Sequence, residues 1–220
     1  MQDLAFASLT RTGAPFDLYA SGDLDYETLS KYRVLVILSG AALDGHARTE
    51  MEKLESDGRT VIWLWGAGSI LNGKFTERGI RELTHLDIRM TNEQDFPILS
   101  EKGFYTGKII PGFEPTEIMK EFKNWTSIYF GSADVAPAKF RAILKKAGVF
   151  MYSETDDVLS ASKSALMLLA SAPGIKTIVF PQPKKVWNLR TKEFLGGKIT
   201  RLVTPLKHGE TLLLEMQDSE

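Results

Sequence analysis

The chain has 220 residues, 43% of them hydrophobic and 25% charged, enough to build the core of one large domain or two small ones. Its 27 basic and 28 acidic side chains nearly cancel, and basic runs such as Lys184–Lys185 are no more than two residues long, a distribution that predicts no nucleic-acid partner. Cysteine is absent, which excludes disulfides, thiolate nucleophiles and zinc–thiolate sites, while the most strongly apolar runs, Val34–Leu38 and Val61–Trp65, have strand length and predict no membrane span.

In chain order, Met1–Thr12 has neither the basic start nor the apolar run of a signal peptide. Ala5–Thr10 reads as the end of a helix that stops near Gly13, and Pro15 opens an extended segment, Phe16–Tyr19. Val34–Leu38 is uniformly apolar and rich in β-branched residues, the pattern of a central parallel strand covered on both faces. Asp44 is placed to cap a helix whose buried stripe is Ala47, Met51 and Leu54, and Gly58 marks the turn into the strand Thr60–Trp65. This strand–helix–strand unit implies a layered α/β sheet with a right-handed crossover. A second helix is predicted over Thr76–Leu83, then an irregular region, Asn92–Lys123, of short strands or a covering loop. Ser127–Phe130 reads as a strand, Asp134 as a helix-start cap, and Pro137 opens a helix to Ala147 with Phe140, Ile143 and Leu144 on its apolar face. After Gly148 the pattern shortens. Val149–Tyr152, Val158–Ala161, Ala165–Leu169, Thr177–Phe180, Lys185–Asn188, Lys198–Val203 and Thr211–Met216 are strand-length pieces between polar turns, predicting an antiparallel layer. The domains expected are therefore 1–148, α/β, and 149–220, β-rich, with the option of a shared core.

The sharpest local feature is Trp65-Gly66-Ala67-Gly68-Ser69, which follows an apolar strand where α/β folds place ligands. Its backbone amides suit an anion, yet it is neither the spaced dinucleotide fingerprint nor a phosphate loop, and a tight structural turn is the plainer reading. Ser69 needs a base and an oxyanion hole to act as a nucleophile, and the spacing supplies neither. The histidines His46, His85 and His208 show no metal-ligand spacing. His46 is the best placed for catalysis, and a surface position at a helix start is the plainer reading. Asp23 with Asp25, and Glu154 with Asp156 and Asp157, read as solvated turns rather than a glycosidic pair or a calcium loop. Trp63, Trp65, Trp125 and Trp187 suit sugar stacking if exposed and core packing if buried. No motif predicts a metal or another cofactor.

Several ordered phrases resemble the beta-galactosidase trimerisation domain and its relatives in bacterial glycoside-hydrolase-like proteins, themselves related to the class I glutamine amidotransferase fold. They are Gly13–Tyr19, Asp23–Tyr26, Lys31–Leu38, Gly58–Gly68, Ile80–Thr84, Ser127–Gly131 and Ala147–Ser153, and the resemblance covers most of 4–170. Thr177–Pro181, Lys185–Leu189 and Glu210–Glu215 resemble the small β domain that often follows glycosidase regions. The resemblance implies a three-layer flavodoxin- or amidotransferase-like sheet with a small C-terminal antiparallel β region. It also implies a non-catalytic accessory or oligomerisation role, partnered by further copies or by an upstream glycoside-hydrolase domain. Active amidotransferases carry a cysteine in the turn after the strand matching Val61–Trp65, so its absence here argues against glutamine hydrolysis. Relatives also place a strand before the first helix. Its absence leaves open a truncation, a cut site, or an element supplied from elsewhere, with the glycosidase barrel upstream. Carbohydrate binding near Trp65, and an uncharacterised hydrolase using Ser69, His46 or an acidic pair, are the alternatives.

Overall fold

The computed structural model describes residues 2–38, 40–100 and 103–219. Its contacts divide the chain into two compact units, one formed by Asp3–Leu18 with Asp134–Glu220 and the other by Tyr19–Ala133. Position 148 falls inside the first of these.

In the second unit, Asp25 accepts from Thr28 N and starts the short helix α2 (Tyr26–Leu29), which follows α1 (Gln2–Thr10) of the first unit. Next come β1 (Val34–Ile37), α3 (Gly45–Leu54) and β2 (Arg59–Leu64). The Asp44 carboxylate accepts from Ala47 N at 2.8 Å, and Ala47, Met51 and Leu54 are buried, as their spacing predicts. Two short strands, β3 (Ile70–Leu71) and β4 (Lys74–Phe75), lead to α4 (Glu77–Thr84), capped by Thr76. The Pro/Gly-rich stretch is built as strands: β5 (Arg89–Ser100) pairs antiparallel with β6 (Gly103–Glu114), and β7 (Glu117–Glu121) precedes β8 (Trp125–Phe130).

The main sheet of this unit has the order β1-β2-β8-β7; the first three strands are parallel and β7 is antiparallel. The central strand is β2, buried at all six residues. The expectation of a central strand at Val34–Leu38 is corrected: β1 is an edge strand among the described residues, and only Leu35 of its four residues is buried. A uniformly apolar run records affinity for a core but does not specify how many neighbours the strand has.

The first unit adds α5 (Pro137–Lys146) and β9 (Val158–Ala161), β10 (Ala165–Leu169), β11 (Gly174–Asn188), β12 (Glu193–Leu206) and β13 (Thr211–Asp218). These five strands form an antiparallel sheet in the order β12-β11-β13-β10-β9 around a core that includes Leu166, Leu168, Ile178, Val186 and Leu214. Three local expectations change. Val149–Tyr152 is not a strand: Tyr152 N donates to Gly13 O and its carbonyl accepts from Val179 N, so its groups serve a connection. Thr177–Phe180 and Lys185–Asn188 join into the single strand β11, whose register shifts between Val179 and Lys184 absorb Pro181 and Pro183. α5 is preceded by Ala136 as its cap, with Pro137 at the first position, rather than by Asp134.

Candidate functional site

The glycine turn at the carboxyl end of β2 is held from three sides. Trp65 N donates to Phe130 O at 2.7 Å and Gly66 N to the buried Tyr129 hydroxyl at 3.2 Å. Gly68 N donates to Gly40 O at 2.7 Å, Ser69 N to Gly66 O at 2.9 Å, and Ile70 N to Ala41 O at 2.8 Å. Only the Ala67 amide of this stretch has no acceptor among the described residues. An anion cradle requires several convergent amides, and here the chain's own oxygens occupy them.

The glycines have a packing reason. A Cβ on Gly68, at φ +76°, would lie 2.6 Å from Gly79 O, so the absence of a side chain lets α4 press its backbone onto the turn. Arg48, on α3, ties the same contact: its guanidinium donates to Gly79 O at 3.2 Å, to Gly68 O at 3.4 Å and to Leu43 O at 3.2 Å. Trp65 is the strained residue, at φ +36°, and its partly buried indole meets the edge of the Phe113 ring at 5.9 Å. A non-glycine residue with positive φ directly after a strand is the geometry in which sharp turns present a nucleophile. The indole supplies none.

Ala67 and Ser69 are fully buried, and the Ser69 hydroxyl has no hydrogen-bond partner among the described residues. Among the described residues, then, no base accepts its proton. His46 is exposed on the first turn of α3, and no hydrogen bond joins it to Ser69. Burial raises the Tyr129 hydroxyl well above its ordinary range, which keeps it a neutral phenol beside Gly66 N. Trp63 is buried and donates to Ser127 Oγ at 3.0 Å, and Ser127 donates in turn to Thr84 O at 2.6 Å, a core arrangement that leaves the ring no ligand face.

The acidic clusters separate. Asp156 is exposed, but the solvated-turn reading fails for Asp157, whose side chain is 2% exposed and lies 2.8 Å from Lys176 Nζ, itself 7% exposed. Burial pushes the Asp157 carboxyl up, but hydrogen bonds from Lys176, Thr155 Oγ1 and Ser171 N outweigh it and hold the group below the usual carboxylate range. Sequence spacing also passed over Glu55 and His85. Glu55 Oε2 lies 2.9 Å from His85 Nε2, and burial, with repulsion from Glu52, pushes the carboxyl up to about 8. His85 stands edge-on to Trp125 at 5.6 Å and to Phe122 at 5.9 Å. Each member of the Glu55–His85 pair caps a helix C-terminus, a position legible only once both helix ends are known. Among the described residues no three His, Asp or Glu side chains gather as a metal site, and no helix is long and apolar enough to cross a membrane.

No protein-family model matches the chain. No curated protein matches it. Solved structures do. A beta-galactosidase from Bacillus circulans sp. alkalophilus superposes with TM-score 0.60 at 13% identity, covering 97% of this chain and 36% of that one. The beta-galactosidase of the Antarctic haloarchaeon Halorubrum lacusprofundi gives TM-score 0.63 at 12% identity, covering 97% and 35%. A GH42 beta-galactosidase from G. stearothermophilus, in a catalytic-mutant form, gives 0.58 at 11% identity, covering 97% and 35%. At such identities the likeness is one of fold, and the chain spans little more than a third of each of those proteins.

Proposed function

We propose that this chain is a non-catalytic accessory or oligomerisation module of a glycoside-hydrolase-like protein, with a flavodoxin- or amidotransferase-like α/β layer akin to a beta-galactosidase trimerisation domain. The observation that carries the reading is the turn at Trp65–Ser69. It keeps the strained geometry of a nucleophile turn, yet it presents an indole, and its amides are taken by internal acceptors. The fold likeness across 97% of the chain to about a third of larger beta-galactosidases supports an accessory rather than a self-sufficient role. The partners are further copies of the chain or an upstream hydrolase domain. Light scattering over a concentration series, together with a nitrophenyl galactoside assay, tests this. Self-association without hydrolysis is expected; a persistent monomer that cleaves the substrate defeats the reading.

Carbohydrate binding is the second reading, favoured by the partial exposure of Trp65 beside the turn. Calorimetry against galactosides decides it: heat lost on Trp65→Ala supports a sugar contact, and the absence of heat from the unmodified chain removes it.

A further inference from the structure

The first unit contains a cavity of about 300 Å³, walled on one side by β9 and on the other by Phe6 and Thr10 of α1 and the segment Ala14–Leu18. Within its five-stranded sheet, β9 is an edge strand. Ser162 N donates to Ala165 O at 2.8 Å, which sets the phase of the β9–β10 ladder. Val158 and Ser160 spend their backbone groups on β10, while the N–H and C=O groups of Leu159 and Ala161 point away from it, along the cavity. Across the cavity, the amides of Phe16 and Leu18 also lack an acceptor among the described residues. Phe6 and Phe16 meet edge to face at 5.7 Å, and with Met167 they make the walls apolar.

This is a slot with unspent backbone along its length and apolar walls. Its volume equals roughly ten water molecules, too small for a helix about 10 Å across but suited to the side chains of one extended strand. The ends of β9 carry positive charge. Arg11 and Arg141 share the single carboxylate of Asp156, two residues before Val158, and Lys163 stands two residues beyond Ala161. Asp17, within the segment opposite, and Asp218, near enough to Lys163 for their charges to interact, are the countervailing acids.

We propose that the slot takes an extended peptide of a partner protein, apolar at alternate positions and acidic at both ends, as an added strand on β9. The backbone ladder supplies affinity, the apolar walls select the alternate side chains, and the cationic ends select the flanks. This goes beyond the assembly reading and does not rest on it.

The test is a labelled peptide of about seven residues, alternating valine and threonine and ended on each side by glutamate, titrated into the full chain with amide exchange followed by NMR. Saturable binding that slows exchange at Leu159 and Ala161 is expected, with a lysine-ended peptide about tenfold weaker. Ala161→Pro removes an outward amide without touching a bond to β10, and Phe16→Asp spoils the opposite wall from outside the sheet; each should weaken binding about tenfold. Absence of saturation, equal affinity for the lysine-ended peptide, or indifference to both variants overturns the proposal. So does protection of the same amides by chain concentration alone, which would put a second copy in the slot. Occupancy by anilinonaphthalene sulfonate without peptide binding overturns it too, in favour of a small apolar ligand.

Discussion

The two units bury a cation in opposite ways. In the α/β unit the buried cation Arg59, 3% exposed, donates to the backbone carbonyls of Tyr32, Ser30, Leu54 and Ser56, and its nearest carboxylate, Asp57, stands 3.9 Å away. In the β-rich unit the buried cation Lys176 meets a full counter-ion, Asp157, at 2.8 Å. A guanidinium's five donors can be satisfied by dipoles arrayed around it, whereas an ammonium drawn into a sheet core needs an anion. Arginine and carbonyls do not titrate near neutrality, so the first arrangement holds across pH. The second depends on a carboxylate staying ionised.

The sharpest way to break this comparison is Asp157→Ala, which leaves Lys176 buried and unpaired and should cost about 4 kcal/mol. Denaturant unfolding measures the loss, and amide exchange should accelerate in β9–β13. Adding Lys176→Met should recover much of it; if the double variant is as unstable as the single, the unpaired charge is not the cause. Arg59→Ala should cost about 3 kcal/mol by orphaning carbonyls, with exchange accelerating in β2 and β8 instead. Equal acceleration of both sheets by either variant would show that the units do not respond separately. Gly68→Ala forces a Cβ toward Gly79 O at positive φ and should cost about 2 kcal/mol, read as a lowered melting temperature.

The smallest effects are on pH dependence, where the two units differ in sign. Asp157 is held below the ordinary carboxylate range, so its contribution is present above the unfolded value of about 3.8 and is lost as pH falls through the lower folded value. Glu55 is raised from 4.5 to about 8, so the folded state holds an extra proton between those values and stability declines as pH rises through that window. Melting temperatures from pH 4.5 to 8 should therefore slope downward, and Glu55→Gln should flatten the slope. An unchanged slope in that variant would remove Glu55 as its source.

The glycine turn shows how far spacing can be read. Trp65–Ser69 was legible as a tight turn after a buried strand, and a structural role was the plainer reading. Its reason was not, because the group pressed against Gly68 is the Gly79 carbonyl of a helix eleven residues on, and Arg48 reaches the same place from another helix. Likewise Asp157 looked like its exposed neighbours Glu154 and Asp156. A run of acids carries no record of which one a distant lysine on β11 will draw inward.

By itself the sequence determined whatever depends on near neighbours: the Asp44 cap and stripe of α3, the Pro137 start of α5, the strands around Val61, Ser127, Val158, Ala165 and Thr211, and the absence of any thiol. These follow from side-chain periodicity and from hydrogen bonds closed within a few residues. Tertiary structure alone decided that β2 rather than β1 is central, that two short strands run together through a bulge as β11, and that the first helix joins the C-terminal strands in one unit. Those outcomes rest on pairing between segments far apart in the chain, where burial and backbone satisfaction are settled by the partner and not by the local pattern.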